Sequence, residues 1–294
     1  MEKAVYHLPG LFEFYDFYRK FLPIYREKTE YFYDWCRIGS LYGAPADCLW
    51  AGGRVSTGNA DPRQALALTE DYGLSARLTF SNSLLCPEHL KDPKCNRLCA
   101  LFGAEPGNGV IVHSELLLDY LKERYPNFYF VSSTTKVLTD FEDLTAETER
   151  PDFRYVVPDF RLNKAFDRLA GLKEKRKVEF LCNECCWPGC RERKACYENV
   201  SRKNLGERCP DHICAAPEGE KGYRFSAAMK NPAFIGIRDI RETYLPMGFS
   251  QFKIEGRGLG SAMLLEFILY YLTKPEYQLP LREEIYLDSM LDLF

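Results

Sequence analysis

Several residue types and patterns are scarce or missing in this chain of 294 residues, and each absence excludes a class of protein. Only four histidines occur, and no pair of them forms the H-E-x-x-H pattern that holds zinc in many metallopeptidases. No run of eighteen apolar residues occurs, so the sequence predicts no membrane-spanning helix. The glycine-rich segment 52–59 fits neither the dinucleotide fingerprint nor the phosphate-binding loop, which excludes the two commonest nucleotide-binding motifs.

Acidic and basic residues are nearly equal in number. The 42 acidic and 39 basic residues are interspersed and leave a formal net charge of -3, so no global field draws the protein toward nucleic acid or an anionic membrane. The first residues lack a basic segment followed by an apolar run, and we therefore expect a cytoplasmic protein without a membrane partner. A hydrophobic fraction of 46% is sufficient for a large buried core.

Cysteine, in contrast, is abundant and clustered. Of the twelve cysteines, five lie in the segment FLCNECCWPGCRERKAC, residues 180–196, and two more follow at Cys209 and Cys214. Cytoplasmic thiols stay reduced, so such clustering indicates metal or redox chemistry rather than disulfides. Seven cysteines in so short a polar segment cannot all be small buried core residues.

Short apolar segments alternate with helical patterns, which is typical of a parallel sheet. Near-continuous apolar strands that each end in a polar residue predict a TIM-type (β/α)8 barrel, a single barrel-like domain over residues 1–294. A doubly wound open sheet is the main alternative. Helices are predicted at 115–124, 162–174 and 261–272, and an additional strand is compatible with residues 6–14. The eight predicted strands are 37–44, 77–82, 109–114, 128–134, 155–160, 177–183, 234–240 and 252–257.

The active face of such a barrel lies at the carboxyl ends of its strands. Residues 182–224 interrupt the alternation with glycine, proline, cysteine and charge, and they predict a cysteine-rich insertion at the barrel mouth. We expect the polar residues at the other strand ends to surround the same site. These residues are Asn82, His113, Ser114, Ser132, Ser133, Thr134, Thr135, Asp159, Asn183, Glu184, Glu255 and Arg257.

The spacing of the clustered cysteines favours an iron-sulfur cluster but leaves zinc open. Thiolates three or four residues apart can converge on one soft metal centre. Only Cys182 and Cys185 show the C-x2-C spacing of structural zinc sites, whereas Cys186 and Cys190 have the wider spacing that favours a four-iron cluster. The C-x3-C-x2-C signature of radical enzymes is disfavoured, because its third position is Arg193.

The segment LPMGFSQFKIEGR, residues 245–257, together with VEFLCNECCWPGC and RCPDHIC, resembles the collagenase-like peptidase (U32) family. Members of that family carry a glycine-led strand that ends in K-I-E-G-R near the end of a barrel domain. The resemblance implies a barrel that holds a four-iron four-sulfur (4Fe-4S) cluster through four cysteines, and oxygen-independent hydroxylation of an RNA base or a quinone precursor. The ligands that it implies here are Cys186, Cys190, Cys214 and either Cys209 or Cys182, with Cys196 in reserve.

Three residues at strand ends are candidates for the chemistry. Arg257 could bind a carboxylate or phosphate through two hydrogen bonds, and Glu255 could transfer a proton or hold Arg257 in place. An ion pair with Lys253 is the structural alternative for this pair. His113 ends its strand and is the third candidate, although a lone histidine is more often a core or surface residue.

Three functions remain open on the sequence. The favoured one is an iron-sulfur enzyme that acts on an anionic small molecule or on RNA. The second is a metal-dependent peptidase, which the missing histidine pair and the absence of a base beside any nucleophile disfavour. The third is a non-enzymatic protein in which zinc stabilises a surface that binds a protein partner of unknown identity, with the basic segments 191–194 and 201–203 at the interface.

Overall fold

A computed structural model of the protein describes residues 3–53, 58–217, 228–256 and 258–291. Within these residues, eight short strands form one sheet in which every adjacent pair is parallel. The strands are β1 Ala4–Pro9, β2 Cys36–Gly43, β3 Ser75–Phe80, β4 Gly109–Val112, β5 Tyr129–Ser132, β6 Phe153–Val156, β7 Glu179–Leu181 and β8 Gln251–Lys253.

The sheet closes into a barrel. Its strands follow the order β6, β5, β4, β3, β2, β1, β8, β7. The two ends of this order meet at a parallel bridge between Val156, the last residue of β6, and Val178, which immediately precedes β7. The predicted TIM-type (β/α)8 barrel is therefore confirmed, and the open doubly wound sheet is not adopted.

Helices lie between successive strands and cover the outside of the barrel. Several begin at a side chain that accepts hydrogen bonds from the first turn, as at Asp61, Asp92, Ser114 and Asp140. Among the described residues, no helix combines the length and apolar character that a membrane crossing requires. The helices are α1 Tyr15–Glu27, α2 Pro62–Asp71, α3 Pro93–Phe102, α4 Glu115–Arg124, α5 Phe141–Glu149, α6 Phe166–Ala170, α7 Arg193–Asn204, α8 (Ile237–Asp239, a π-helical turn Ile240–Tyr244 and Leu245–Met247), α9 Ser261–Tyr271 and α10 Gln278–Leu291.

The two faces of the strands have different surroundings. Outward-facing side chains pack against the helices in one large apolar core, in which the Phe180 ring makes edge contacts with Tyr244 and Phe249. Truncating a buried aromatic of this kind costs roughly 3–5 kcal/mol. A smaller apolar cluster fills the inside of the barrel near the carboxyl ends of the strands. Its buried members are Tyr42, Ile111, Val131, Val157 and Leu181.

Nearer the amino ends of the strands the barrel interior is polar. The fully buried Glu179 carboxylate accepts hydrogen bonds from Arg77 at 2.5 Å and from Lys253 at 3.1 Å, and it lies 3.4 Å from the His7 ring. Burial alone would raise the pKa of Glu179, but Arg77, His7 and Lys253 together hold it well below its usual range. Burial and the neighbouring Arg77 lower the pKa of His7 to about 3, so His7 is neutral at pH 7.

One predicted strand, at 234–240, is wrong. The helical segment α8 begins there instead, because the Asp239 carboxylate accepts a hydrogen bond from the Gly236 N–H at 2.7 Å and so caps the first turn. The eighth strand of the barrel is instead β1, Ala4–Pro9. It overlaps the additional strand that the sequence made possible at 6–14. Of the predicted helices, α4 has the expected bounds, α9 ends one residue earlier and α6 is shorter than expected.

Candidate active site at the barrel mouth

A cavity of about 250 Å³ opens at the carboxyl ends of the strands, in the mouth of the barrel. Strand ends and the segments that follow them form its walls, as expected for the active face of this fold. We call it the mouth cavity. Its lining includes Tyr42, Thr79, Thr134, Cys185, Lys253 and Glu255.

Lys253 brings a positive charge to this cavity. Its side chain is buried, its Nζ donates to Glu179 at 3.1 Å, and the same atom lies 3.7 Å from the centroid of the Tyr42 ring. The ion pair and the cation–π contact compensate for the loss of hydration. Lys253 thus connects the polar interior of the barrel to the mouth cavity.

Thr79 adds a hydrogen-bonding group to the cavity wall. Its hydroxyl oxygen is buried and has no hydrogen-bond partner among the described residues. An unsatisfied buried hydroxyl costs roughly 1–3 kcal/mol. Because Thr79 lines the mouth cavity, a bound polar group can satisfy this hydroxyl.

Two hydrogen bonds between the Asn183 side chain, after β7, and the Glu255 backbone, after β8, hold Glu255 at the cavity. The Glu255 N–H donates to the side chain of Asn183 at 2.7 Å, and the Asn183 amide donates back to the Glu255 carbonyl at 2.9 Å. Asn183 is fully buried. The two strand ends therefore hold a fixed geometry where the cysteine-rich insertion begins.

Three potential metal ligands meet beside the cavity. Ligand atoms of Glu184, Cys185 and Glu255 all lie within 4.8 Å of one another, and no other group of three such side chains does so among the residues that the structure describes. A thiolate with two carboxylates suits a borderline ion such as Zn²⁺. Glu184 is already engaged, however, because one of its oxygens accepts from the backbone N–H groups of Cys185 and Cys186 at 2.9 and 3.1 Å.

A buried ionic network anchors the insertion to the barrel. Arg193, at the start of α7, is 2% exposed; its guanidinium lies 2.6 Å from Glu184 and 3.3 Å from Asp159, which is fully buried at the end of β6. Arg161 also pairs with Asp159 at 2.6 Å and donates to the Cys190 carbonyl at 2.9 Å. Removing one partner of such a buried network leaves an uncompensated charge and costs about 3–5 kcal/mol.

Cys182 lies on a different face from the cavity. Leu181 faces the barrel interior, and Cys182, the next residue, is fully buried in the outer apolar core. Its thiol donates to the Phe180 carbonyl at 3.6 Å, and burial raises its pKa well above the ordinary value. Because the thiolate is the metal ligand, this position favours packing over coordination.

The other candidate ligands lie in the insertion and outside the core. Cys186, Cys190 and Cys209 are half-buried, and Cys214 is exposed. The four thiolates of a 4Fe-4S cluster bind four different irons, so they need not approach one another as ligands of a single ion do. The assignment of these four cysteines as cluster ligands stays a prediction.

The remaining strand-end candidates occupy distinct places. His113 is only partly exposed at the end of β4 and contacts the Thr135 hydroxyl at 2.8 Å; burial, together with Lys136 and Lys194, lowers its pKa to about 4. Ser133 caps the turn that follows β5, where its hydroxyl accepts a hydrogen bond from the Thr135 N–H at 3.2 Å. Arg257 lies outside the described residues.

Three important residues of the site were not predicted from the sequence, namely Arg193, Cys185 as a cavity residue and Thr79. Lys253 was considered only as a partner of Glu255. The alternation of β8 was the missed signal, because residues two apart on a strand share a face and Lys253 and Glu255 both line the cavity. No local pattern indicates the partners of Arg193, since Glu184 follows β7, Asp159 follows β6, and the barrel brings these two strand ends together.

Comparison with known proteins adds a likeness of fold. No family model matches the chain, and no curated protein matches it. The structure of the U32 peptidase Mk0906 is similar over 88% of this chain and 94% of that chain, with a TM-score of 0.56 and 14% sequence identity. At this identity the likeness shows the fold alone, and it supports the U32 fold that the sequence motifs indicate.

Proposed function

We propose that the protein is a barrel enzyme that modifies an anionic substrate in the mouth cavity with the help of a 4Fe-4S cluster held by the cysteine-rich insertion. One observation carries this proposal. The network of Arg193, Glu184 and Asp159 fixes the insertion at the wall of a cavity that Cys185, Lys253 and Glu255 line. A metal centre in the insertion would thus lie beside the substrate.

The donor set fits a cluster of this kind. Cys186, Cys190, Cys209 and Cys214 are outside the apolar core and provide the four soft ligands that a 4Fe-4S cluster needs. Cys185 lines the cavity and is an alternative ligand. The fully buried position of Cys182 excludes it from the ligand set that we propose.

A cluster held by four thiolates would supply electrons, since each of its irons would then carry a protein ligand. Side chains of the mouth cavity bind the substrate and transfer protons. Lys253 attracts a negative charge to the cavity floor, the Thr79 hydroxyl donates a hydrogen bond to the substrate, and the Glu255 carboxyl takes up or gives a proton. His113 is neutral at pH 7 and contacts Thr135, a residue of the cavity lining, so we propose that it orients this hydroxyl. We propose that Arg257, at the end of the same segment, binds the anionic group.

The sequence resemblance is the basis on which we propose oxygen-independent hydroxylation, or a related modification, of RNA or a small molecule, and the likeness of fold supports only the barrel that would carry this reaction. We propose this reaction class in preference to hydrolysis because the insertion is rich in thiols, and thiolates select iron-sulfur clusters over hard cations.

Single Cys→Ser variants at the four proposed ligands test the cofactor. We expect each variant, purified without oxygen, to lose most of the iron and the broad visible absorbance of the wild type, because a cluster lacking one of its thiolates is bound weakly. Cys86→Ser is the matched control, since Cys86 is also half-buried but lies outside the insertion. Iron content that is the same in all five variants and the wild type would contradict the proposal.

A metal-dependent peptidase is the second candidate, and one observation favours it. Glu184, Cys185 and Glu255 are close enough to bind a single ion beside the mouth cavity. Zn²⁺ there would activate water for the attack on an amide bond. An ion at this place must share Glu184 with Arg193, a buried cation that repels it. This competition is why we rank the single-ion site below the cluster.

A further inference from the structure

A second cavity, of about 500 Å³, lies at the opposite end of the barrel. We call it the basal cavity. Five basic side chains line it, and no acidic side chain among the described residues does so. Ser250 and Gln251, both buried, contribute polar groups. The basic lining residues are Lys3, Arg37, Arg154, Arg176 and Lys177.

The topology of the barrel explains why these cations meet. Lys3 precedes β1, Arg37 is the second residue of β2, and Arg154 is the second residue of β6. Arg176 and Lys177 lie just before β7, from which Val178 separates them. Because the strands are parallel, their amino ends lie on one face of the barrel, and these positions come together there although they are far apart in sequence.

Local contacts hold some of these side chains in place. The Arg154 guanidinium lies over the Tyr129 ring at 4.7 Å and is 5.7 Å from the Tyr155 ring centroid. Lys177 donates to two backbone carbonyls, those of Thr148 and Arg150, each at 3.0 Å. These contacts orient two of the cations without neutralising them.

The positive charge of three of the five basic side chains at the basal cavity is not compensated by an ion pair within the described part of the chain. Lys3, Arg37 and Arg154 form no ion pair with the described residues. Acidic residues are near, since Glu70 and Glu105 line an adjoining cavity that shares Arg37 and Arg154, but they do not line the basal cavity itself. In a chain with a net charge of -3, five cations around one concavity are a local excess that attracts a multivalent anion.

We propose that the basal cavity binds a small compound with two or more linked phosphate groups. Three of its five cations are arginines, whose planar guanidinium groups match phosphate oxygens through paired hydrogen bonds. Its volume lies in the range of small-molecule pockets, roughly 300–1,000 Å³. A concave, bounded site suits a compact ligand better than an extended polymer.

This site is separate from the mouth cavity. The buried layer of His7, Arg77 and Glu179 fills the barrel between them, with Gln251 on the basal side and Lys253 on the mouth side. The proposal therefore stands whether or not the insertion holds a metal. An anion bound here lies apart from the mouth cavity and does not enter the reaction proposed there.

Titration calorimetry with sodium tripolyphosphate on the full chain tests the site at physiological ionic strength. We expect the wild type to bind one tripolyphosphate per chain with a Kd in about the micromolar range. The double variant Arg37→Gln/Arg154→Gln should bind at least about tenfold more weakly, because it removes two guanidinium partners. Both side chains are exposed, so the fold should persist, and Arg37→Gln alone serves as a second variant.

The matched control is Arg202→Gln/Arg238→Gln, which removes the same charge from exposed positions outside the basal cavity. We expect this control to bind tripolyphosphate as the wild type does. Equal weakening in the control, or no binding by the wild type at about 1 mM ligand, would overturn the proposal. Much tighter binding of a single-stranded RNA, lost in the Arg37 and Arg154 variants, would also overturn it and assign the surface to a polymer.

Discussion

Glu179 determines the electrostatics of the barrel interior. It is fully buried, and its two oxygens accept hydrogen bonds from Arg77 and Lys253. Without this carboxylate, both cations would be buried without their partner, at a cost of several kcal/mol. The ion pair with Glu179 also orients Lys253. One buried acid therefore determines both the stability of the interior and the charge of the mouth cavity.

The histidine inside the barrel makes stability depend on pH. The pKa of His7 is about 3 in the folded protein, below the value of about 6.5 expected in the unfolded chain. Between these values the unfolded chain binds a proton that the folded protein does not, so stability is full above pH 6.5 and falls as the pH decreases. His113, with a pKa of about 4, acts in the same direction.

We therefore predict that the free energy of unfolding decreases by about 1–2 kcal/mol per histidine between pH 7 and pH 5. Urea denaturation at the two pH values measures this change. His7→Gln should reduce the decrease, because glutamine does not titrate. A wild-type free energy that is the same at both pH values, or an unchanged pH dependence in the variant, would contradict the assignment. The depressed pKa of Glu179 does not interfere, since an unfolded glutamate titrates near pH 4.3.

Single residues of the site differ in how far the sequence could reveal them. Glu255 was predicted at the mouth because it ends an apolar strand, and the structure places it in the cavity lining. Cys182 was a candidate ligand on its spacing and on the family resemblance, but strand alternation directs it into the outer core. Arg193 was noticed only as the residue that breaks a radical-enzyme signature. Local sequence patterns do not reveal the ion-pair partners of Arg193, because these pairs depend on the closed barrel.

At the scale of elements, the docking of α7 on the barrel determines where the insertion lies. Arg193 is the first residue of α7 and joins it to Glu184 after β7 and to Asp159 after β6. We predict that Arg193→Met removes the cation beside the buried Glu184 carboxylate and one of the two cations that pair with Asp159, and that it weakens docking by about 3–5 kcal/mol. Hydrogen exchange of the α7 amides, followed by mass spectrometry, should accelerate accordingly.

Arg202→Met is the matched control for this prediction. Arg202 lies on the same helix but is half-exposed and pairs with Glu207 on the surface, where a pair contributes about 0–1 kcal/mol. The exchange of α7 should therefore change little in this control. Equal exchange rates in Arg193→Met and the wild type would show that the ionic network does not anchor the insertion.

An element with a strong local signal was predicted, whereas a helix that begins within an apolar run was not. The helix at 115–124 has an N-terminal serine cap and a clear apolar periodicity, and its bounds are as predicted. The apolar run at 234–240 looks like a strand, but the hydrogen bond from Gly236 to Asp239 starts a helix within it. A single capping interaction thus outweighed the propensity of its apolar residues.

At the scale of the whole molecule, the barrel separates two chemically distinct ends. The mouth carries the cysteine-rich insertion and carboxylates, whereas the basal cavity is lined by cations. Whole-chain charge cannot reveal this division, because 42 acidic and 39 basic residues nearly cancel. The barrel itself was predictable from the alternation of strands and helices. The basal cavity was not, since its lining comes from the beginnings of five strands that only the closed ring brings together.

The central claim is that the insertion holds a 4Fe-4S cluster beside the mouth cavity. Its most direct test is the content of iron, acid-labile sulfide and zinc per chain in protein purified without oxygen, with an electron paramagnetic resonance spectrum after reduction. We predict about four irons and four sulfides per chain and a signal from the reduced cluster. Stoichiometric zinc without iron would contradict the claim and favour a zinc-bound protein, either the peptidase or a non-enzymatic binding protein.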